Sequence, residues 1–195
     1  MALRFIDGFE HYTVPAQLAL KYSSVNNLSM ASMTGRRTGS VAVRFNSPSD
    51  SLRQTLDDQA TWITGFALYA DSHSSSTAKI LQLIDSSGAV QLTLGLVNGA
   101  IQLYRGDAST LLATSAQALQ AGVWNYVEVK ATIADTGGLF EARVNEQVWV
   151  SFTGDTKQST TLATARVLRF SSVPYVNTGM HDLYICDGTG TVNND

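Results

Sequence analysis

Side chains able to do acid–base or nucleophilic work are few in this chain. It has three histidines, His11, His73 and His181, one cysteine, Cys186, and four glutamates, Glu10, Glu128, Glu141 and Glu146. A hydrolase built on an activated serine needs a sharp Gly-x-Ser-x-Gly turn with a histidine base, and no such turn occurs. Cys186 lies in an apolar stretch without a glycine-rich turn, so it reads as a small packed hydrophobe. Arg105-Gly106-Asp107 spells an integrin-binding tripeptide, but it follows a strand pattern where Gly-Asp makes an ordinary turn. The sequence therefore predicts a non-enzymatic protein with no catalytic residue and no required cofactor.

Binding chemistry is better represented. Trp124 and Tyr126 alternate with Val127 and Val129, and Trp149 sits between Val148 and Val150. If both segments are strands, strict alternation puts the three aromatics on the face away from the core. Three roles suit them there: packing beneath loops, contact with another protein, or a platform for sugar rings.

The elements that must carry these residues follow from period-two patterning. Lys79–Ile84, Ala89–Val97 and Ala100–Arg105 form a three-stranded meander, turning at Asp85-Ser-Ser-Gly88 and at Asn98-Gly99. Asn-Gly is the favoured pair for a type I′ hairpin turn, because both central residues need positive φ. A second meander runs through Val123–Ile133, Leu139–Val144 and Gln147–Phe152, turning at Asp135-Thr-Gly-Gly138 and Asn145-Glu146. Further strands are expected at Arg4–Tyr12, Tyr22–Ser24, Gly39–Phe45, Trp62–Ala70, Ala165–Ser171 and His181–Cys186. Ser51–Asp58 and Leu111–Gln120 read instead as loop with local helix. About a dozen strands separated by turns make an all-β sandwich or barrel.

Composition narrows the class further. The chain has 195 residues, 44% apolar and only 15% charged, and its 13 basic and 16 acidic residues leave a net charge of -3. One domain with a sizeable core is expected. The negative balance and scattered cations argue against a phosphate-tracking nucleic-acid surface. No apolar run approaches the ~20 residues of a membrane span. Met1–Tyr12 carries Arg4, Asp7 and Glu10, and so lacks the apolar centre of a secretion signal.

The order of motifs resembles the laminin-G-like, concanavalin A-like jelly-roll superfamily. It runs from the Asp-Ser-Ser-Gly and Asn-Gly hairpins through Gly122-Val-Trp124, Tyr126-Val-Glu-Val129 and Val144-Asn-Glu146 to Asp182-Leu-Tyr-Ile185. The likeness spans Phe5 to Cys186 and implies a two-sheet antiparallel jelly-roll sandwich. The end segments, Phe5-Ile-Asp-Gly-Phe-Glu-His-Tyr12 and Asp182 to Asp195, are similar to those of structural proteins of tailed bacteriophages that carry such a domain. That resemblance implies a virion protein assembled in the host cytoplasm, a capsid decoration or a neck or tail subunit. It would be a homo-oligomer, dimeric or trimeric, touching capsid or tail proteins through its N-terminal segment and the loops Ser23–Thr38 and Ser47–Ala60. The alternative is a lectin-like module that binds glycan at a host surface through Trp124, Tyr126 or Trp149. Glucanases of this superfamily carry Glu-x-Asp-x-x-Glu on one strand, and none of the four glutamates begins that pattern. Laminin-G-like domains hold calcium at a sheet rim. If the terminal strands pair, Asp7, Asp182 and Asp187 are the candidate ligands, with turn capping or exposure to solvent as the alternative.

Overall fold

The computed structural model describes residues 1–30, 36, 41–159, 161–171 and 177–190. The expected strand start at Gly39, most of the later half of the Ser23–Thr38 loop, and the last residues from Thr191 lie outside the described residues. In chain order the strands are β1 (Ala2–Asp7), β2 (Ser24–Asn26), β3 (Val43–Phe45), β4 (Ser51–Gln59) and β5 (Thr61–Ala70). The first meander supplies β6 (Ala78–Ile84), β7 (Val90–Val97) and β8 (Ala100–Arg105), followed by β9 (Thr110–Ala118). The second supplies β10 (Trp124–Thr132), β11 (Gly138–Val144) and β12 (Gln147–Gly154), and the chain closes with β13 (Ala165–Ser171) and β14 (Thr178–Asp187). A short 3-10 turn at Pro15–Leu20, not expected from the sequence, is the helical element described.

These strands make two antiparallel sheets, the expected jelly-roll sandwich. Sheet A runs β1-β14-β5-β10-β11-β12, with β3 also on β14; sheet B runs β2-β4-β13-β6-β7-β8-β9. The terminal strands pair as expected, Ala2 opposite Asp187 and Asp7 opposite Leu183. β1 and β3 share one side of β14, so its edge is covered rather than left to pair with another chain. Both hairpin turns have positive φ at their two central residues, 49° and 84° at Asn98-Gly99, 48° and 71° at Asn145-Glu146.

The core lies between the sheets, where alternation aims the apolar half of each strand. Phe66 of β5 meets Phe170 of β13 edge-on, their ring centres 5.5 Å apart. Trp62 of β5 donates its Nε1–H to the carbonyl of Ala165 in β13 at 2.9 Å. These two contacts fasten sheet A to sheet B. β5 is buried along nearly its whole length. It is central in its sheet, and at its outward position Gly65 the ring of Tyr184 lies over bare backbone.

Several expectations are corrected. Ser51–Asp58 and Leu111–Gln120 are strands, the bulk of β4 and β9, not loops with helix. The supposed contact loop Ser47–Ala60 is therefore mostly β4, hydrogen-bonded to β2 and β13. The first strand stops at Asp7 rather than Tyr12, because its carboxylate accepts the N–H of Phe9 and the hydroxyl of Tyr12 and turns the chain. Trp149 does not stand on the outer face. Val148 pairs with Arg143 but Val150 pairs with Ala142, so β12 carries an extra residue at a bulge. The bulge turns Val148 out, 50% exposed, and lays Trp149 against the core.

Candidate functional site

On β10, Val127, Val129 and Ala131 point into the core, so Trp124, Tyr126, Glu128 and Lys130 form a row on the outer face of sheet A. β11 contributes the next row. Its register with β10 sets Arg143 opposite Glu128 and Glu141 opposite Lys130. Charges therefore alternate in both directions, the favourable arrangement for cross-strand neighbours. Arg143 Nε donates to Glu141 Oε1 at 2.9 Å.

On the other side of β10 lie β5 and β14. Tyr184 of β14 stands opposite Gly65 of β5 and donates its hydroxyl to Glu128 Oε1 at 2.8 Å. Ile63, Glu128, Lys130, Glu141, Arg143 and Tyr184 line a groove of about 350 Å³. A second, more open hollow of about 530 Å³ adjoins Tyr126, Asn145, Glu146 and Arg36. There the Arg36 guanidinium lies 5.3 Å from the Tyr126 ring centre, a cation–π contact. Trp124 packs 5.4 Å from Tyr69 and edge-on against the buried His181. The face thus carries four half-buried aromatics, Tyr69, Trp124, Tyr126 and Tyr184.

The phenols of Tyr126 and Tyr184 stay neutral. Burial, then the negative charges of Glu128 and Asp182, push Tyr126 up to about 12. Burial and the hydrogen bond to Glu128 hold Tyr184 higher still. Neutral hydroxyls donate as well as accept, which suits neutral polar ligands. Glu128 and Glu141 face the same groove, but each carboxylate already holds a partner in Tyr184 or Arg143.

Gly65 makes the arrangement possible. A Cβ there would lie 2.3 Å from Tyr184 Cε1, so the ring needs the bare backbone beneath it. Gly65→Ala is expected to displace Tyr184, break its bond to Glu128 and cost about 1–3 kcal/mol. A urea titration measures the loss. An unchanged midpoint would mean that the ring does not lie on this glycine.

The aspartates expected to hold calcium do not converge. Asp7 and Asp187 sit at opposite ends of the β1–β14 ladder, roughly 17 Å apart at about 3.4 Å per residue. Asp187 is buried and taken by Arg4 at 2.6 Å and by Thr189 at 2.5 Å. Asp7 is taken by Tyr12 and Lys21, and Asp182 by Arg36. Among the described residues no three acidic, histidine or cysteine side chains gather as a metal site. Asp7 and Asp187 instead close the turns that follow their strands, while Asp182, within β14, pairs with Arg36. Cys186 is buried and its thiol is pushed up by that burial, away from nucleophilic character.

Of the aromatics singled out in the sequence, Trp124 and Tyr126 stand on one face and Trp149 does not. The charged rows were missed. Their signal was present, because a hairpin turning at Asp135–Gly138 brings Glu128 opposite Arg143. Tyr69 and Tyr184 had no local signal, since pairings between distant strands bring them in.

Fold and face together define a jelly-roll β-sandwich domain with an aromatic, charge-lined outer surface. No family model matches the sequence, and no curated protein matches it. Among solved structures the chain is similar to the cellulose-induced protein Cip1, with a TM-score of 0.66 and 12% identity over 94% of this chain and 97% of that one. It is similar to the alginate lyase Aly36B, with a TM-score of 0.64 and 10% identity over 93% and 95% of the two chains. It also matches part of a sialidase, with a TM-score of 0.63 and 13% identity over 95% of this chain but 18% of the sialidase. At these identities the likeness is one of fold.

Proposed function

We propose that the outer face of sheet A binds carbohydrate. The observation that carries this reading is the aromatic row Tyr69–Trp124–Tyr126–Tyr184 beside the alternating Glu128, Arg143, Lys130 and Glu141. Half-buried rings offer apolar area to the faces of sugars, and the flanking groups offer donors and acceptors to their hydroxyls. Fold relatives named for cellulose induction, alginate cleavage and sialic acid chemistry support the same direction. Binding is favoured over cleavage because Glu128 and Glu141 are tied to Tyr184 and Arg143 and do not face each other across an open cleft as a free carboxylate pair.

A glycan array followed by calorimetry on the best oligosaccharide tests the reading. Trp124→Ala should raise Kd roughly tenfold, about 1.4 kcal/mol, while the fold is retained. A broad array with no ligand better than millimolar would overturn it.

One observation favours the virion reading as a second possibility. Leu3, Ile6, Val14 and Leu20, all in the N-terminal segment, are 48–90% exposed, more apolar surface than a free edge needs. The fold relatives reported above include no phage protein and give this reading no support. Light scattering bears on it, since burying those side chains between copies predicts a dimer or trimer, and a strict monomer would remove its basis.

A further inference from the structure

Sheet B has an outer face of its own, and it holds a feature that folding alone does not reward. Leu52, Leu168 and Phe170 point into the core, so Arg53 of β4 and Arg169 of β13 point outward, directly opposite each other in the ladder. Like charges facing across an antiparallel pair are destabilising. Little nearby relieves them. Arg169 donates from Nη1 to Gln82 Oε1 at 3.3 Å, and its buried Nε has no partner. Arg53 makes no side-chain hydrogen bond or ion pair among the described residues. Asp107, the carboxylate that acts on Arg169, is held by Lys79 at 2.7 Å and by Gln82 at 2.6 Å. Burial and then Arg53 draw the Arg169 pKa below that of an ordinary guanidinium, with Asp107 opposing only in part.

Arg53, Arg169 and Lys79 against Asp107 leave a local excess of positive charge on a chain whose net charge is -3. Cross-strand Cβ atoms lie about 4.5–5.5 Å apart, a spacing at which two guanidinium forks bracket one small anion. We propose that Arg53 and Arg169 form a receptor for a single oxyanion group, a sulfate, phosphate or carboxylate, on the outer face of sheet B. The group is either a free ion or a substituent carried on a polymer. The proposal is independent of the groove on sheet A. It gives the domain a second, charge-reading face, and it explains why the ladder keeps two cations in register. With the anion bound, the repulsion becomes two charge-assisted attractions.

Thermal unfolding of the whole chain tests it, in sodium sulfate against sodium chloride of matched ionic strength. The wild type should gain a saturable rise in Tm in sulfate beyond the chloride control. Arg53→Gln should be at least as stable as the wild type at low salt, because a repulsion is removed. It should also lose most of the sulfate-specific rise, as should Arg169→Gln. Dextran sulfate against plain dextran separates the sources. At least tenfold tighter binding of the sulfated polymer than of inorganic sulfate, lost in Arg53→Gln, assigns a polymer-borne group, whereas equal affinity per sulfate assigns a free ion. The proposal is overturned if wild type and both variants respond equally to sulfate, for that general effect needs no site. A loss of stability in Arg53→Gln that sulfate does not alter also overturns it, since the pair would then be structural.

Discussion

Replacing Trp62 with alanine is expected to destabilise the protein by about 4 kcal/mol or more. Trp62 is 1% exposed and sits in β5, at the centre of sheet A. Its loss leaves a cavity between two sheets that cannot collapse without shearing their ladders. It also strands the Ala165 carbonyl, which accepts the indole N–H at 2.9 Å across the sandwich. Domains of this kind are stable by only about 5–15 kcal/mol, so the change takes a large share. Trp62→Phe separates the two causes. It keeps most of the packing and loses the hydrogen bond, and should cost about 1–3 kcal/mol. Urea midpoints of the wild type and both variants decide the matter. A loss under about 1 kcal/mol for the alanine variant would mean that the sheets are not fastened at this point.

Acid is expected to loosen the join between the chain's two ends. Burial alone would raise the Asp187 carboxyl, but hydrogen bonds from the Thr189 side chain and backbone, from Arg4 and from the Ala2 backbone outweigh it and hold the group at about 2. A carboxyl depressed on folding stabilises the native state above its unfolded value, and that contribution fades as pH falls through the folded value. For Asp187 it is complete above pH 3.8 and disappears toward about pH 2. Asp187→Asn should therefore cost about 2 kcal/mol at neutral pH, the range for hydrogen bonds to a charged group. Below pH 2 the variant and the wild type should converge. Asp57, Asp85 and Asp107 are held below their ordinary range as well, so the variant removes only part of the acid limb. Chemical denaturation from pH 7 to pH 2 measures the difference. Parallel profiles for variant and wild type would show that this carboxylate does not hold β1 to β14.

The sites divide along a physical line. Trp124 and Tyr126 were legible because alternation within one strand fixes a face, and β10 runs regularly against both neighbours. Trp149 was misplaced because one extra residue in β12 breaks the alternation at Val148 and Trp149, and nothing in the local pattern of Val148 and Val150 announces a bulge. β4 was missed because Leu52 and Leu56 are spaced four apart. That spacing puts them on one side of a helix and equally on one side of a strand. The calcium reading assumed that pairing the termini would gather three aspartates. Pairing does occur, but register sets two of them at opposite ends of the ladder.

By itself, the amino-acid order determined the strands of both meanders, their Asn-Gly, Asn-Glu and Asp-to-Gly turns, and the two-sheet class. Each of these rests on side-chain alternation or on φ preferences within a few neighbouring residues. Only the tertiary structure decided which strands lie side by side. That set Tyr184 beside Glu128 across 56 positions of chain and Trp62 beneath Ala165 across 103. The groove of sheet A and the opposed arginines of sheet B are products of long-range register. Register between strands far apart in the chain is chosen by the packing of whole sheets, whereas the register of a hairpin is set by its turn.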